Sequence, residues 1–377
     1  MGGTLQEFAL GEPRPASVGE IEAGLTAMWR SAAEATESQS AVTRASALTL
    51  LIYLDRPQEA RDVSNMLAEV TRQNPCRSVL MVMDPQGGAP SLMASVSAHC
   101  HLAAEGGKQI CSEQITLNAR GETGPELISV VLPLTLSGLP IYLWWRAENF
   151  DMPAYFDQIL RVTQHVIVDS ARFSAVGPDL RMLAAWLDRN SGRIRLTDLN
   201  WARATPWREV IAQCFDSPDR RPYLRRIREV RIEYEMESER LTAQRAQGLL
   251  LTAWLATRLG WQFRRGESRG ENLPRALFFQ SDAGEVKAER ILRKEGRGSG
   301  VCFSLEIKAD GARFSFARGP DGKVVQTLAE VPGQPPIGQT VRIEAGKEVE
   351  ILNNELMLAG HDRVYEEVMA MVAQMNN

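Results

Sequence analysis

Apolar and polar positions follow two regimes along this chain. Leu48–Leu54 is a continuous apolar run of strand length, and Val63, Met66, Leu67 and Val70 then share one helical face within Glu59–Arg72. Ser78–Met83 is a second apolar run, after Asn74-Pro75 has stopped the helix. A strand, helix and strand of these lengths predict a crossover and a parallel pair, apolar on both faces because helices cover both sides. Ser91–Leu102 and Gln109–Leu117, separated by Glu105-Gly-Gly107, read as an antiparallel hairpin attached to that sheet. Pro125–Leu132 and Pro153–Gln164 read as helices, Pro140–Trp145 and Val166–Asp169 as strands, and Asp179–Leu187 as a further helix.

From Ile227 the period shortens to two. Val230, Ile232, Tyr234 and Met236 alternate with Arg231, Glu233 and Glu235, the pattern of a half-buried strand. Leu241–Leu259 is a helix that Gly260 ends, and Trp261–Arg264, Val286–Arg293, Val301–Lys308, Arg313–Ala317 and Val324–Glu330 form a meander. Helices near Val349–Leu358 and Arg363–Met375 close the chain.

The expected fold is therefore an α/β N-terminal domain, a mixed sheet with helices on both faces, followed by an α+β C-terminal domain, an antiparallel meander with helices on one face. The boundaries read from the pattern are a flexible arm over 1–16, an α/β domain over 17–216, a linker over 217–225 and the α+β domain over 226–377. Ser17–Glu20 has the form of a capping box, and Ile21, Leu25, Met28, Trp29 and Ala32 make a helical stripe behind it. Glu34–Val42 reads as a polar linker.

Composition narrows the function classes. With 43 Lys and Arg against 47 Asp and Glu among 377 residues, the net charge of -4 offers no general pull toward nucleic acid or an anionic membrane. Leu127–Trp145 has the length of a membrane span, but Pro133, Gly138 and Pro140 break it, so it is read as soluble structure. Five scattered cysteines without a C-x-x-C pair, and an N-terminus without a basic region and apolar run, point to a reducing, cytoplasmic setting.

Catalytic apparatus is not visible. The phosphate-cradling, dinucleotide, nucleophile-elbow and zinc-protease motifs are missing, so no cofactor is expected. His99-Cys100-His101 with Cys111 lacks the ligand count of a metal site, because in a strand the two histidines share one face and Cys100 takes the other. Glu113, Asp169 and Asp198 are carboxylate candidates that nothing in the sequence pairs. The arginine run Arg220, Arg221, Arg225, Arg226, Arg228 and Arg231 is followed by Glu229, Glu233, Glu235, Glu237 and Glu239, which are expected largely to neutralise it and leave a solvated charged face.

One stretch stands apart. Asp198–Asp216 places Asn200, Trp201, Arg203, Trp207 and Arg208 around a helix entry that Thr205-Pro206 marks, with Thr205 as the expected cap. Two readings stay open: indoles as core anchors with snorkelling arginines, or a recognition surface, since Trp and Arg dominate interface hot spots. Trp144, Trp145 and Arg146, at a strand tip, extend that candidate surface, because sites in open α/β sheets gather at strand carboxyl ends, as at Asp84 and Asp169-Ser170. On the same residue types a competing reading is a sugar-phosphate sensor or enzyme that uses Arg146, Arg203 and Arg208.

Five segments together resemble a known family. V-S-A-H-C-H-L (Val96–Leu102), I-C-S-E-Q-I-T-L (Ile110–Leu117), L-P-I-Y-L-W-W (Leu139–Trp145), V-D-S-A-R-F (Val168–Phe173) and D-L-N-W-A-R-A-T-P-W-R-E (Asp198–Glu209) look like the glucose-6-phosphate dehydrogenase assembly protein family, OpcA. The order and spacing match over about Ala45–Asp216, and the part from Ile227 onward resembles the second domain more loosely. The resemblance implies a non-enzymatic cytoplasmic protein that binds glucose-6-phosphate dehydrogenase, promotes its active oligomer and raises its activity in the oxidative pentose phosphate pathway. In photosynthetic members it also implies a link to thioredoxin. No cysteine pair is visible here to carry such a switch, and the eight contact residues named above are an inference from residue type.

Overall fold

The computed structural model describes residues 6–35, 42–102, 109–235, 243–267, 274–293, 302–319, 323–343, 346–358 and 360–375. Among them, the first sheet runs in the spatial order β1 (Gln6–Pro15), β5 (Ser91–Leu102), β6 (Gln109–Arg120), β4 (Cys76–Asp84), β3 (Leu48–Leu54), β7 (Ile141–Arg146), β8 (His165–Val168) and β9 (Arg195–Asp198), with β2 (Val42–Arg44) also pairing with β6. The strands from β6 through β9 are parallel; β5 and β1 add antiparallel at one edge. Counting only the parallel strands in chain order, the sheet reads third, second, first, fourth, fifth, sixth. That is a doubly wound order, and its direction of winding reverses between β3 and β7.

Residues 6–15 correct the expectation of a loose arm: they are a sheet strand, in register with Met93–Cys100 of β5. Gly11, Pro13 and Pro15 hide it in the sequence, and these types are admissible because the strand is an edge with a register shift between Leu10 and Arg14.

Helices α1 (Val18–Ala35), α2 (Ala60–Gln73), α3 (Gly124–Val131), α4 (Asp157–Val162), α5 (Val176–Asn190), α6 (Leu199–Arg203) and α7 (Thr205–Cys214) accompany this sheet. All seven residues of β3 are buried, and their alternation separates two cores. Leu50, Ile52 and Leu54 meet Val63, Leu67 and Val70 of α2, while Leu51 and Tyr53 belong to the core on the other side. Helix α1 is held by a buried charge: Glu113, fully enclosed on β6, accepts from Trp29 Nε1 at 2.6 Å, Arg77 Nε at 2.8 Å and Arg44 at 3.0 Å. Each donor comes from a different element, so this carboxylate ties α1, β2 and β4 to β6.

The hairpin of β5 and β6 places Cys100 directly opposite Cys111, and the two are disulfide-bonded. This corrects the reading of five unpaired cysteines. His99, on the face opposite Cys100 by strand alternation, bonds Gln114 at 2.9 Å.

The second sheet has the order β11 (Gln262–Glu267), β12 (Ala276–Ser281), β13 (Gly284–Arg293), β10 (Ile227–Glu235), β14 (Cys302–Ala309), β15 (Ala312–Arg318), β16 (Val324–Glu330) and β17 (Ile337–Arg342). It is mixed, not antiparallel throughout, because β10 enters between β13 and β14 and runs parallel to β13. Helix α8 (Ala243–Arg258) packs on the face bearing Val230, Ile232, Leu305 and Ile307. The approach is close enough that a Cβ at Gly248 would lie 1.7 Å from the Tyr234 hydroxyl. On the opposite face Glu229 pairs with Lys308, and Glu233 accepts from Ser304, so these glutamates serve the sheet. Glu233 also meets Arg231 of the arginine run at 3.2 Å, while Arg221, Arg225 and Arg228 stay exposed on a solvated charged face, as expected; Glu237 and Glu239 lie outside the described residues.

The last two helices return to the first sheet. α9 (Glu348–Met357) buries Leu352 and Leu356 in the α2 core, each worth roughly 1.5–3 kcal/mol of transfer free energy, and Asn353 accepts from Asn74 at 2.9 Å. α10 (Arg363–Met375) packs between α5 and α8.

Candidate functional site

The carboxyl ends of β3, β7, β8 and β9 gather most of the singled-out residues, and they gather them inside the protein. Trp144 and Trp145 alternate across β7, so one indole enters each core. Trp145 stacks on Tyr53 at 4.0 Å and donates to the Asn149 carbonyl at 2.8 Å, while Trp144 lies beneath the Arg146 guanidinium at 5.0 Å. Trp207 is 1 % exposed and Trp201 5 %; Asn200 is buried and donates to Ser170 Oγ at 3.1 Å. As one exposed aromatic surface, the expectation is therefore corrected: the indoles are core anchors. Only Arg203 and Arg208 keep partial exposure.

Asp198 caps α6 and explains the local turn. Its Oδ1 accepts from the backbone of Ser170 at 2.9 Å and Asn200 at 2.9 Å, and its Oδ2 from Tyr365 Oη of α10 at 3.3 Å. Complete burial, with the Asp169 charge nearby, pushes its carboxyl up to about 6. Thr205 does not cap α7; its hydroxyl instead accepts from Arg208 at 2.8 Å.

Two ion-pair nodes fill the strand ends. Asp169 receives both terminal nitrogens of Arg203, at 2.6 and 2.7 Å, and those bonds hold its carboxyl below the usual range despite its burial. At the point where the winding reverses, Glu59 accepts from Arg172 at 2.8 and 2.9 Å and also meets Arg146 at 3.4 Å and Arg56 at 3.3 Å. Arg146 also pairs with Glu348 of α9. The burial of Glu59 works against these cations, yet its carboxyl is held below the ordinary value. Thus Arg146, Arg203 and Arg208 do not converge on a shared void. The first two are held by carboxylates and the third by the Trp201 carbonyl at 2.7 Å and Thr205.

Between these strand ends and the two terminal helices lies a cavity of ≈ 310 Å³, lined in part by Arg195, Thr197, Trp201, Arg208, Glu355 and Tyr365. Arg208 covers the Trp201 ring at 3.4 Å from its centroid, and burial pulls its guanidinium down to about 10, so it stays charged at neutral pH. Trp201 Nε1 donates to Asp362 at 2.8 Å. His165, against Arg195 and deeply buried, is lowered to about 2 and stays neutral.

Sequence reading missed Glu59, Arg172, Arg195, Glu348, Glu355 and Tyr365. The last three come from helices more than 130 residues beyond Asp198. No local signal joins them to it; the one at Glu59 was the acidic residue in a strand-to-helix turn that has no glycine.

Comparisons with known proteins agree over most of the chain. A model described as the glucose-6-phosphate dehydrogenase subunit N-terminal domain matches residues 67–185, and one described as that subunit's C-terminal domain matches residues 194–369. The OxPP cycle protein OpcA of Nostoc punctiforme is 34% identical over 224 residues, covering 59% of this chain and 46% of that protein. The OpcA of Synechococcus elongatus is 28% identical over 332 residues, covering 82% of this chain and 69% of that protein. The match thus spans about half the length of the Nostoc relative. Levoglucosan dehydrogenase in complex with NADH is similar in structure at a TM-score of 0.44 and 11% identity, over 87% of this chain and 91% of that one, a likeness too distant to speak to chemistry.

Proposed function

Since this chain belongs to the OpcA family of glucose-6-phosphate dehydrogenase subunits, we propose that it is a non-catalytic partner that binds glucose-6-phosphate dehydrogenase and stabilises its active oligomer, serving the oxidative pentose phosphate pathway. The observation that carries this reading is the pair of family matches, which between them take in strands of both sheets. A non-catalytic role is supported by the strand ends, where Glu59 and Asp169 each already meet guanidinium groups and neither is poised as a base. The same pairing disfavours a sugar phosphate on Arg146 and Arg203.

Activation then follows from binding alone: a partner that prefers the active oligomer shifts that equilibrium by its differential affinity. In the proposed contact, the partly exposed Arg203 and Arg208 meet the dehydrogenase, Arg208 from the wall of the cavity, while Trp144, Trp145, Arg146, Asn200, Trp201 and Trp207 hold them in place from within. The test titrates the same organism's dehydrogenase with this protein, following activity and light scattering together. A saturable rise in activity with a co-migrating complex is expected. Arg208→Ala should shift the titration to higher concentration without unfolding the chain. Two folded proteins that form no complex would sink the proposal.

A further inference from the structure

The doubly wound order implies a dinucleotide across the crevice where winding reverses, and the residues there fit only half of one. The diphosphate half does not fit. The turn from β3 into α2, Asp55-Arg56-Pro57-Gln58-Glu59, has no glycine to let a backbone approach a diphosphate, and Glu59 sets a carboxylate at the N-terminus of α2, where the phosphate charge would lie. Glu348 closes the neighbouring Arg146.

The other half is open. A cavity of ≈ 300 Å³ lies at the carboxyl ends of β4 and β6, on the side of the sheet that α2 covers. Register places its walls in two rungs. Val82, Asn118 and Met93 are neighbours across β4, β6 and β5, and Asp84, Arg120 and Ser91 follow two residues further along, on the same face. Pro57 closes one side. Among the described residues, the Asp84, Asn118 and Arg120 side chains make no hydrogen bond or ion pair, so their bonding capacity faces the cavity unused, unlike that of Glu59 or Asp169. Gly87 leaves room for the carboxylate beside it: a Cβ there would lie 2.5 Å from Asp84 Oδ2.

We propose that this cavity binds an adenine nucleoside monophosphate with free ribose hydroxyls. Asp84 ends the strand next to the first parallel strand, where a carboxylate accepts from a ribose diol. Asn118, between the apolar Val82 and Met93, offers both a donor and an acceptor to the N6/N7 edge of adenine, as amides do for that base. The exposed Arg120 at the mouth supplies a cation to the 5′-phosphate. Small apolar-walled sites with a few convergent polar groups are the usual form of such pockets.

The test is calorimetric titration of the full chain, without any dehydrogenase, so that its outcome is independent of the activator reading. AMP is expected to bind saturably. Asp84→Asn and Asn118→Leu should each weaken it by ~10-fold or more while thermal unfolding stays in place. NAD+ should bind no tighter than AMP, because its second half meets Glu59, and 2′,5′-ADP should bind more weakly, because its 2′-phosphate meets Asp84. Failure of AMP to bind at millimolar concentration overturns the site. Equal affinity in Asp84→Asn, or tighter binding of 2′,5′-ADP, overturns the role of Asp84. NAD+ binding tenfold tighter than AMP overturns the half-site.

Discussion

The two sides of the winding reversal use the same residue types to opposite ends. On the β7 and β8 side, Asp169 and Glu59 sit among Arg203, Arg172 and Arg146, and α9 brings Glu348 onto the same group. On the β4 and β6 side, Asp84 and Arg120 stand on adjacent strands, within one rung, yet do not pair. What separates them is what packs above. Helices α9 and α10 cover the first side and remove water, so each charge there needs a partner. The second side remains partly exposed, so its groups need no partner within the protein and stay available. At these strand ends, charge is structural where the tail helices reach and unspent where they do not.

The largest expected effect tests that contrast with one substitution on each side. Asp169→Ala leaves the Arg203 guanidinium without its bidentate partner, and breaking a buried pair from one end costs about 3–5 kcal/mol. Asp84→Asn should change stability by less than ~0.5 kcal/mol, since no partner is lost. Urea midpoints of the two variants measure both. Similar losses would mean that Asp84 is also a structural charge, and the division between the two sides would fail.

Reducing the disulfide comes next in size. Cys100 and Cys111 close a loop with a sequence separation of 11 between the two strands that bear the open cavity, and pin them at the end remote from it. Loop entropy puts the loss at about 2–3 kcal/mol. The expected result in reductant is a lower unfolding midpoint with AMP affinity preserved. Loss of affinity would show that the open side also depends on that remote clamp.

Much of the first domain was legible because its strands are apolar on both faces and its helices carry clear stripes. Leu48–Leu54 and the α2 stripe had no rival assignment. Strands β9, β12 and β17 were not legible: Arg195–Asp198 is short and polar, and Ile337–Arg342 is an exposed edge with scarcely an apolar face. The parallel entry of β10 beside β13 was hidden because alternation reports burial, not direction. The disulfide was within reach, since the hairpin was recognised and only its register was missing. The indoles stayed undecided between core and surface for a different reason. Trp and Arg carry the same composition in a core node and at an interface, and what decided between them was Glu348, Asp362 and Tyr365 arriving from the far end of the chain.

A pH profile separates the covered side further, and its sign is fixed by Asp198. This carboxyl titrates at about 6 in the folded protein and at ~3.9 when unfolded, so the fold holds the extra proton between those values. Its contribution to stability is complete below the unfolded value and is lost as pH rises through the folded one, at up to about 1.4 kcal/mol per pH unit. Asp169 and Glu59 run the other way: their carboxyls are held low, and their contribution disappears only in stronger acid. Between pH 6 and 4.5 the wild type should therefore gain stability relative to Asp198→Asn in urea titrations. Parallel profiles would show that Asp198 does not carry the proton.

The smallest effect probes how the tail helix keeps the β7 side covered. Glu348 is the α9 residue that reaches Arg146, but Leu352, Leu356 and the Asn74–Asn353 bond already fix the helix on α2. Glu348→Gln keeps the shape and removes the charge. Arg146 retains Glu59, so the loss should be about 1 kcal/mol, in the range of partly exposed pairs and well short of a stranded buried charge. Hydrogen exchange should then quicken along the first turn of α9 while α2 stays protected, because the ion pair holds only that end of the helix. If exchange quickens along α9 and α2 together, the charge and the apolar seam act as one unit. If neither changes, the leucines alone cover the crevice, and the Arg–Glu group follows from that cover without contributing to it.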